Sequence, residues 1–150
     1  MNTTGKFLAV TKGDALWSQV LILDETYFPR AWKEAEWNSV EFSRHKLWAY
    51  THENRLVGYA LFATVPGDET AHLLKILVHP EARGTQTAGL FWKEISQSLQ
   101  NHHFKNVYLE VEESNERARR FYARLGFVVL RRVKSYYSDG ESGVMMQLTL

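Results

Sequence analysis

Residues 75–90, Lys75-Ile76-Leu77-Val78-His79-Pro80-Glu81-Ala82-Arg83-Gly84-Thr85-Gln86-Thr87-Ala88-Gly89-Leu90, read as an apolar strand stopped by a proline, a polar turn of small residues, and the start of a helix. A helix start leaves backbone N–H groups without partners, and these add to the peptide dipoles as a partial positive charge. Such a turn is an anion site that needs no charged side chain. Gly84, Thr85, Thr87, Ala88 and Gly89 let a ligand approach the main chain closely, while Gln86 interrupts the run of small residues.

Outward from this stretch the hydrophobic period separates strands from helices. On the N-terminal side, residues 7–10 read as a strand. A helix over 15–26 follows, with Asp14 as its cap, then a helical piece over 30–38 after Phe28-Pro29. Period-two patterning over 46–51 and 56–65 flanks the polar tetrad His52-Glu53-Asn54-Arg55, a hairpin, and 71–78 adds a third strand to the meander. On the C-terminal side come a helix to about Asn101, a strand over 106–111, and Ser114-Asn115 as a capping pair. A helix over 116–125 closed by Gly126 follows, then strands over 127–136 and 143–150. The fold class is α+β with mixed α/β order: one mixed sheet of about seven strands with about four helices. A crossover makes strands 71–78 and 106–111 parallel neighbours around a cleft. The 150 residues are expected to form a single domain.

Composition narrows the classes. There is no cysteine, which excludes disulfides and thiolate metal sites and makes a reducing cytoplasm the expected compartment. No apolar run reaches membrane-spanning length, so no membrane association is expected. A net charge of +1 argues against direct nucleic-acid binding. From Arg117 to Lys134 there are seven basic residues and no acidic one, either a solvated helix face or a surface for a phosphorylated ligand. The six histidines are scattered, and no metal site is expected.

In an open α/β sheet, ligands gather beyond the carboxyl ends of parallel strands. There Tyr108, Glu110 and Glu112 share one face of strand 106–111, and Glu110 is either a general base or a solvent-facing carboxylate of an uncovered sheet. Tyr122 shares a helix face with Asn115 and lies on the stripe of Ala118 and Leu125, where a core aromatic is the simpler reading.

The turn Arg83 to Ala88, the run Asn115 to Phe127 and the element order resemble the GCN5-related N-acetyltransferase (GNAT) superfamily. Leu109-Glu110-Val111, the segment from Arg131 to Glu141 with Tyr136-Tyr137 and Asp139-Gly140-Glu141, and Val144 to Leu148 are similar to its ribosomal-protein-alanine N-acetyltransferase (RimI) subgroup, as is Phe28-Pro29. The resemblance implies acetyl-CoA as cofactor and a protein or peptide N-terminus, a ribosomal protein among the candidates, as acceptor. It implies main-chain contacts to acetyl-CoA from Ile76, Leu77 and Val78, a pyrophosphate held by the backbone of Gly84, Thr85, Gln86, Thr87, Ala88 and Gly89, and cofactor contacts from Arg83 and Asn115. Glu110 would be general base and Tyr122 general acid, with Phe28, Pro29 and Tyr136 bordering the acceptor, in a monomer or weak dimer. Gln86 stands where the family pattern has glycine, and a side chain there is expected to weaken acetyl-CoA binding if the position needs positive φ or close approach of the cofactor. Acetylation of a small amine or a lysine, and CoA binding without turnover, are the competing readings.

Overall fold

The computed structural model describes residues 5–150. Its seven strands form one sheet in the order β1-β2-β3-β4-β5-β7-β6: β1 Lys6–Ala9, β2 His45–His52, β3 Arg55–Ala63, β4 Thr70–Val78, β5 Asn106–Glu112, β6 Val128–Val133 and β7 Gly143–Thr149. Only β4 and β5 pair in parallel; every other neighbouring pair is antiparallel. The helices are α1 Ala15–Tyr27, α2 Glu34–Asn38, α3 Thr87–Asn101 and α4 Glu116–Leu125.

The two faces of the sheet carry separate cores. On one, Phe91, Ile95 and Leu99 of α3 meet Val107, Leu109 and Val111 of β5, in a cluster that also holds Phe127 and Met146. On the other, Val20 and Leu23 of α1 and Trp37 of α2 cover Leu47, Ala49, Tyr59, Leu61 and Leu77. The alternation read along β5 is observed, with Tyr108, Glu110 and Glu112 on the face away from α3.

Four local differences from the sequence reading have physical causes. Residues 30–33 are not helical, because the Trp32 N–H donates to Asp24 Oδ2 instead of to a helical carbonyl, and α2 starts only after Lys33. Asp14 precedes α1 but makes no cap bond; its carboxylate turns back to accept from the Thr11 N–H. A single 3₁₀ turn, Pro80–Ala82, separates β4 from the small-residue turn, so the strand does not pass directly into it. β6 stops at Val133 because Ser135 takes φ +51° and the Tyr137 N–H closes a loop onto the Glu141 carbonyl, lifting Tyr136 out of the strand.

Candidate active site

β4 and β5 are paired only from Thr70, Ala71 and His72 to Asn106, Val107 and Tyr108. Beyond those rungs β4 pairs only with β3 and β5 only with β7, so the two parallel strands splay. A register shift on the β3 side, where Leu61 faces Lys75 and Phe62 faces Leu73, leaves Leu74 as the extra residue of a bulge beside the opening. Ile76, Leu77 and Val78 therefore present to the cleft a strand edge without a β5 partner. The Val78 carbonyl already accepts from Arg83 Nε at 3.1 Å, so Arg83 ties the turn back onto the strand end.

The turn is built from backbone. Gly84 has φ +74°, a conformation that favours glycine, and apart from its chain neighbours no atom of the described residues lies within 4 Å of the position a Cβ would take. Thr85 Oγ1 donates to the Ala82 carbonyl and accepts from the Thr87 N–H, and the Leu90 N–H donates to the Gln86 carbonyl. The N–H groups of Gly84, Thr85, Gln86, Ala88 and Gly89 donate to no acceptor among the described residues. Burial lowers the Arg83 pKa, and the neighbouring Arg117 guanidinium lowers it further; an anion docked here relieves that repulsion. These features fit a pyrophosphate. Gln86 has φ −74° and ψ −7°, an ordinary helical conformation, so the expected strain at this position is absent. Of the two grounds for weakened cofactor binding through Gln86, backbone strain therefore falls.

On the opposite side of the cleft the site is made of side chains. Glu110 Oε2 accepts from His72 Nε2 at 2.6 Å, while its Oε1 has only a long contact, 3.4 Å, with Tyr136 Oη. Sequence reasoning missed His72; its signal was a polar residue in an apolar strand, on the same register rung as Tyr108, whose ring it meets edge-on at 5.3 Å. Glu112, two residues on, pairs with Arg30 at 2.6 Å. Arg30 also reaches Asp139 at 3.0 Å and stacks 4.1 Å from the Tyr137 ring, bridging the loop after α1 to the loop between β6 and β7. The two loops joined by Arg30 carry Phe28, Pro29 and Tyr136; Tyr136 is 45% exposed.

Tyr122 packs against Phe121 and Phe127, each at 5.6 Å, and its hydroxyl makes no hydrogen bond among the described residues. Burial, then the nearby charge of Glu112, pushes its pKa well above that of an ordinary phenol. Asn115 caps α4, its side-chain oxygen accepting from the Ala118 N–H at 3.2 Å, and its Nδ2 points to Glu112 Oε2 at 3.5 Å. Glu112 thus lies next to Arg30, Asn115 and Tyr122, whereas Glu110 lies with His72 and Tyr136.

Residues 16–127 match the acetyltransferase (GNAT) family. The chain belongs to that family. An uncharacterized N-acetyltransferase of Methanocaldococcus jannaschii is 33% identical over 99 residues, which are 63% of this chain and 60% of that protein. The N-terminal acetyltransferase B complex catalytic subunit of Arabidopsis thaliana is 31% identical over 102 residues, 65% of this chain and 58% of that protein. The match thus spans about three-fifths of the length of these two relatives. Among solved structures, the ribosomal-protein-S18-alanine N-acetyltransferase from Escherichia coli superposes with a TM-score of 0.84 at 21% identity, over 97% of this chain and 94% of that one. That likeness shows a GNAT fold with its parallel β4–β5 pair.

Proposed function

We propose that this GNAT protein transfers acetyl from acetyl-CoA to the α-amino group of a protein or peptide N-terminus, as a single-domain enzyme of the cytoplasm. The observation that carries the reading is Glu110. Of the two carboxylates on the open face of β5, Glu112 is neutralised by Arg30, while Glu110 has no lysine or arginine partner among the described residues. A cationic amine is the complement that Glu110 lacks.

Ile76, Leu77 and Val78 on the open β4 edge, the backbone donors from Gly84 to Gly89 and the cap residue Asn115 would hold acetyl-CoA. Bound there, it supplies the acetyl group as a thioester, which accepts only a neutral amine. Glu110 Oε1 takes the proton from the α-ammonium, directly or through a water. His72, donating to Oε2, holds the carboxylate in place for that transfer. An α-amino group with a pKa of about 7.7 to 8.0 needs far less of a base than a lysine at about 10.4, which suits a lone carboxylate. Tyr122 keeps its proton because burial disfavours the phenolate, and on the α4 side it is the acid that would protonate the thiolate expelled as the amide bond forms and the thioester bond breaks. Phe28, Pro29 and Tyr136 border the acceptor. The names of the Arabidopsis and Escherichia coli proteins point to protein N-termini for those relatives, and a ribosomal protein is the first candidate here.

The test is release of free thiol from acetyl-CoA with Ala-starting peptides, the same peptides blocked at the α-amino group but carrying lysine, and small amines. Preference for the free N-terminus supports the reading. Equal or greater turnover of the lysine or small-amine substrates overturns the acceptor assignment, and no turnover with any of them overturns the enzyme.

A further inference from the structure

Beneath the loop that follows α1 lies a charged cluster that the proposed chemistry does not use. Lys75, on β4, is 2% exposed, and Asp24, on α1, is fully buried. Lys75 Nζ donates to Asp24 Oδ1 at 2.9 Å and to the Arg30 carbonyl at 3.2 Å. Asp24 Oδ1 also accepts from Tyr59 Oη of β3, and Oδ2 accepts from the Trp32 N–H at 2.8 Å. The ammonium lies 3.9 Å from the Phe28 ring centroid and 4.9 Å from that of Trp32. The pair therefore grips the loop at three places: the Phe28 ring, the Arg30 carbonyl and the Trp32 N–H.

Cohesion alone does not explain such a pair. Taking two charges out of water costs about as much as their attraction returns, and apolar replacements of similar volume are often neutral or stabilising. What a buried ionic cluster supplies, and an apolar cluster does not, is directional bonds that fix backbone groups in one place. Both hydrogen bonds from the pair to the loop are with backbone atoms. Moreover, the residue whose carbonyl Lys75 holds is Arg30, whose side chain reaches Glu112, Asp139 and Tyr137 on the other side of the acceptor region.

We infer that Lys75 and Asp24 are positioning residues for acceptor binding: the buried pair presets residues 28–32, and through Arg30 the width of the acceptor entrance, before any substrate arrives. The inference rests on the reading above that Phe28 and Pro29 border the acceptor. It assigns the pair no part in proton transfer and none in cofactor binding.

The test is the triple variant Asp24→Leu/Tyr59→Phe/Lys75→Met, which removes every charge and hydroxyl of the cluster while nearly conserving volume. Expected are a Tm close to that of the unsubstituted protein, an unchanged Kd for acetyl-CoA, and about a tenfold rise in peptide KM with kcat within about threefold. Amide exchange at Trp32 rises at least tenfold. A folded triple variant with the original peptide KM and Trp32 exchange overturns the inference. Should the variant not fold, the unsubstituted protein decides: the Trp32 amide must exchange at least tenfold more slowly than exposed loop amides such as that of Gly67, and equal rates overturn the inference. Amide exchange needs no acceptor, so a protein inactive on peptides would count against the proposed function, while the Trp32 rates would still decide the role of the pair.

Discussion

The two sides of the β4–β5 cleft are made of different material. The side proposed for the cofactor is backbone: a splayed strand edge, a glycine at φ +74° and five N–H groups with no acceptor among the described residues. The side proposed for the acceptor is side chain: Glu110 on His72, Glu112 on Arg30, and a buried Lys75–Asp24 pair under an aromatic loop. A backbone site tolerates changes of side chain wherever φ permits them, whereas a side-chain site depends on each partner. Substitutions should therefore be graded by φ on one side and by hydrogen bonding on the other.

The largest effect is expected at Tyr122. Tyr122→Phe, isosteric and partly buried against Phe121 and Phe127, should lower kcat by about 100-fold while the Kd for acetyl-CoA, from calorimetric titration, stays within about twofold. Its pH dependence carries a sign. Because burial raises the pKa of Tyr122 above the ordinary phenol value, the proton is still present at pH 10, and kcat should not fall there through this group. By linkage, the stability that Tyr122 contributes is full below pH 10 and is lost as pH rises through its folded pKa. A kcat that halves near pH 10 in the unsubstituted enzyme but not in Tyr122→Phe would contradict the assignment.

Next comes Gly84. A β-branched side chain at φ +74° costs about 1–3 kcal/mol, so Gly84→Val should weaken acetyl-CoA by about tenfold or more without changing peptide KM. Equal loss of peptide affinity would erase the distinction between the two sides. His72→Ala should lower kcat by about tenfold, since Glu110 keeps its carboxylate but loses the donor that orients it. Acetyl-CoA binding measured on the same variant should not move. The smallest effect is at Gln86: with φ −74°, Gln86→Gly should leave the Kd for acetyl-CoA within about twofold. A tenfold tightening would restore the strain that the backbone lacks.

The same division explains what the sequence discloses. Strands, helices and the anion turn follow from local periodicity and turn chemistry, and the parallel placement of β4 and β5 follows from the crossover rule. The residues of one strand face, Tyr108, Glu110 and Glu112, are legible because alternation is local. What joins them is not. His72 and Glu110 are 38 residues apart, Arg30 and Glu112 are 82 apart, and Asp24 and Lys75 are 51 apart. Period and spacing carry no information at such separations. Lys75 stood in plain view at the head of the decisive stretch, yet its meaning depended on an aspartate in another helix. The helical reading of 30–33 failed for the same reason, since Trp32 spends its N–H on Asp24. Gln86 shows the converse case: a motif departure that looked strained is not, because its φ is helical.

The most direct measurement is the pH profile of kcat/KM for an Ala-starting peptide with Glu110→Gln against the unsubstituted enzyme. With Glu110 as the base, the variant should be slower by about 100-fold at pH 7, and the gap should narrow as pH rises past about 8, where the free α-amino group is already neutral. A Glu110→Gln enzyme that matches the unsubstituted rate at pH 7, or whose deficit is the same at every pH, would contradict the account.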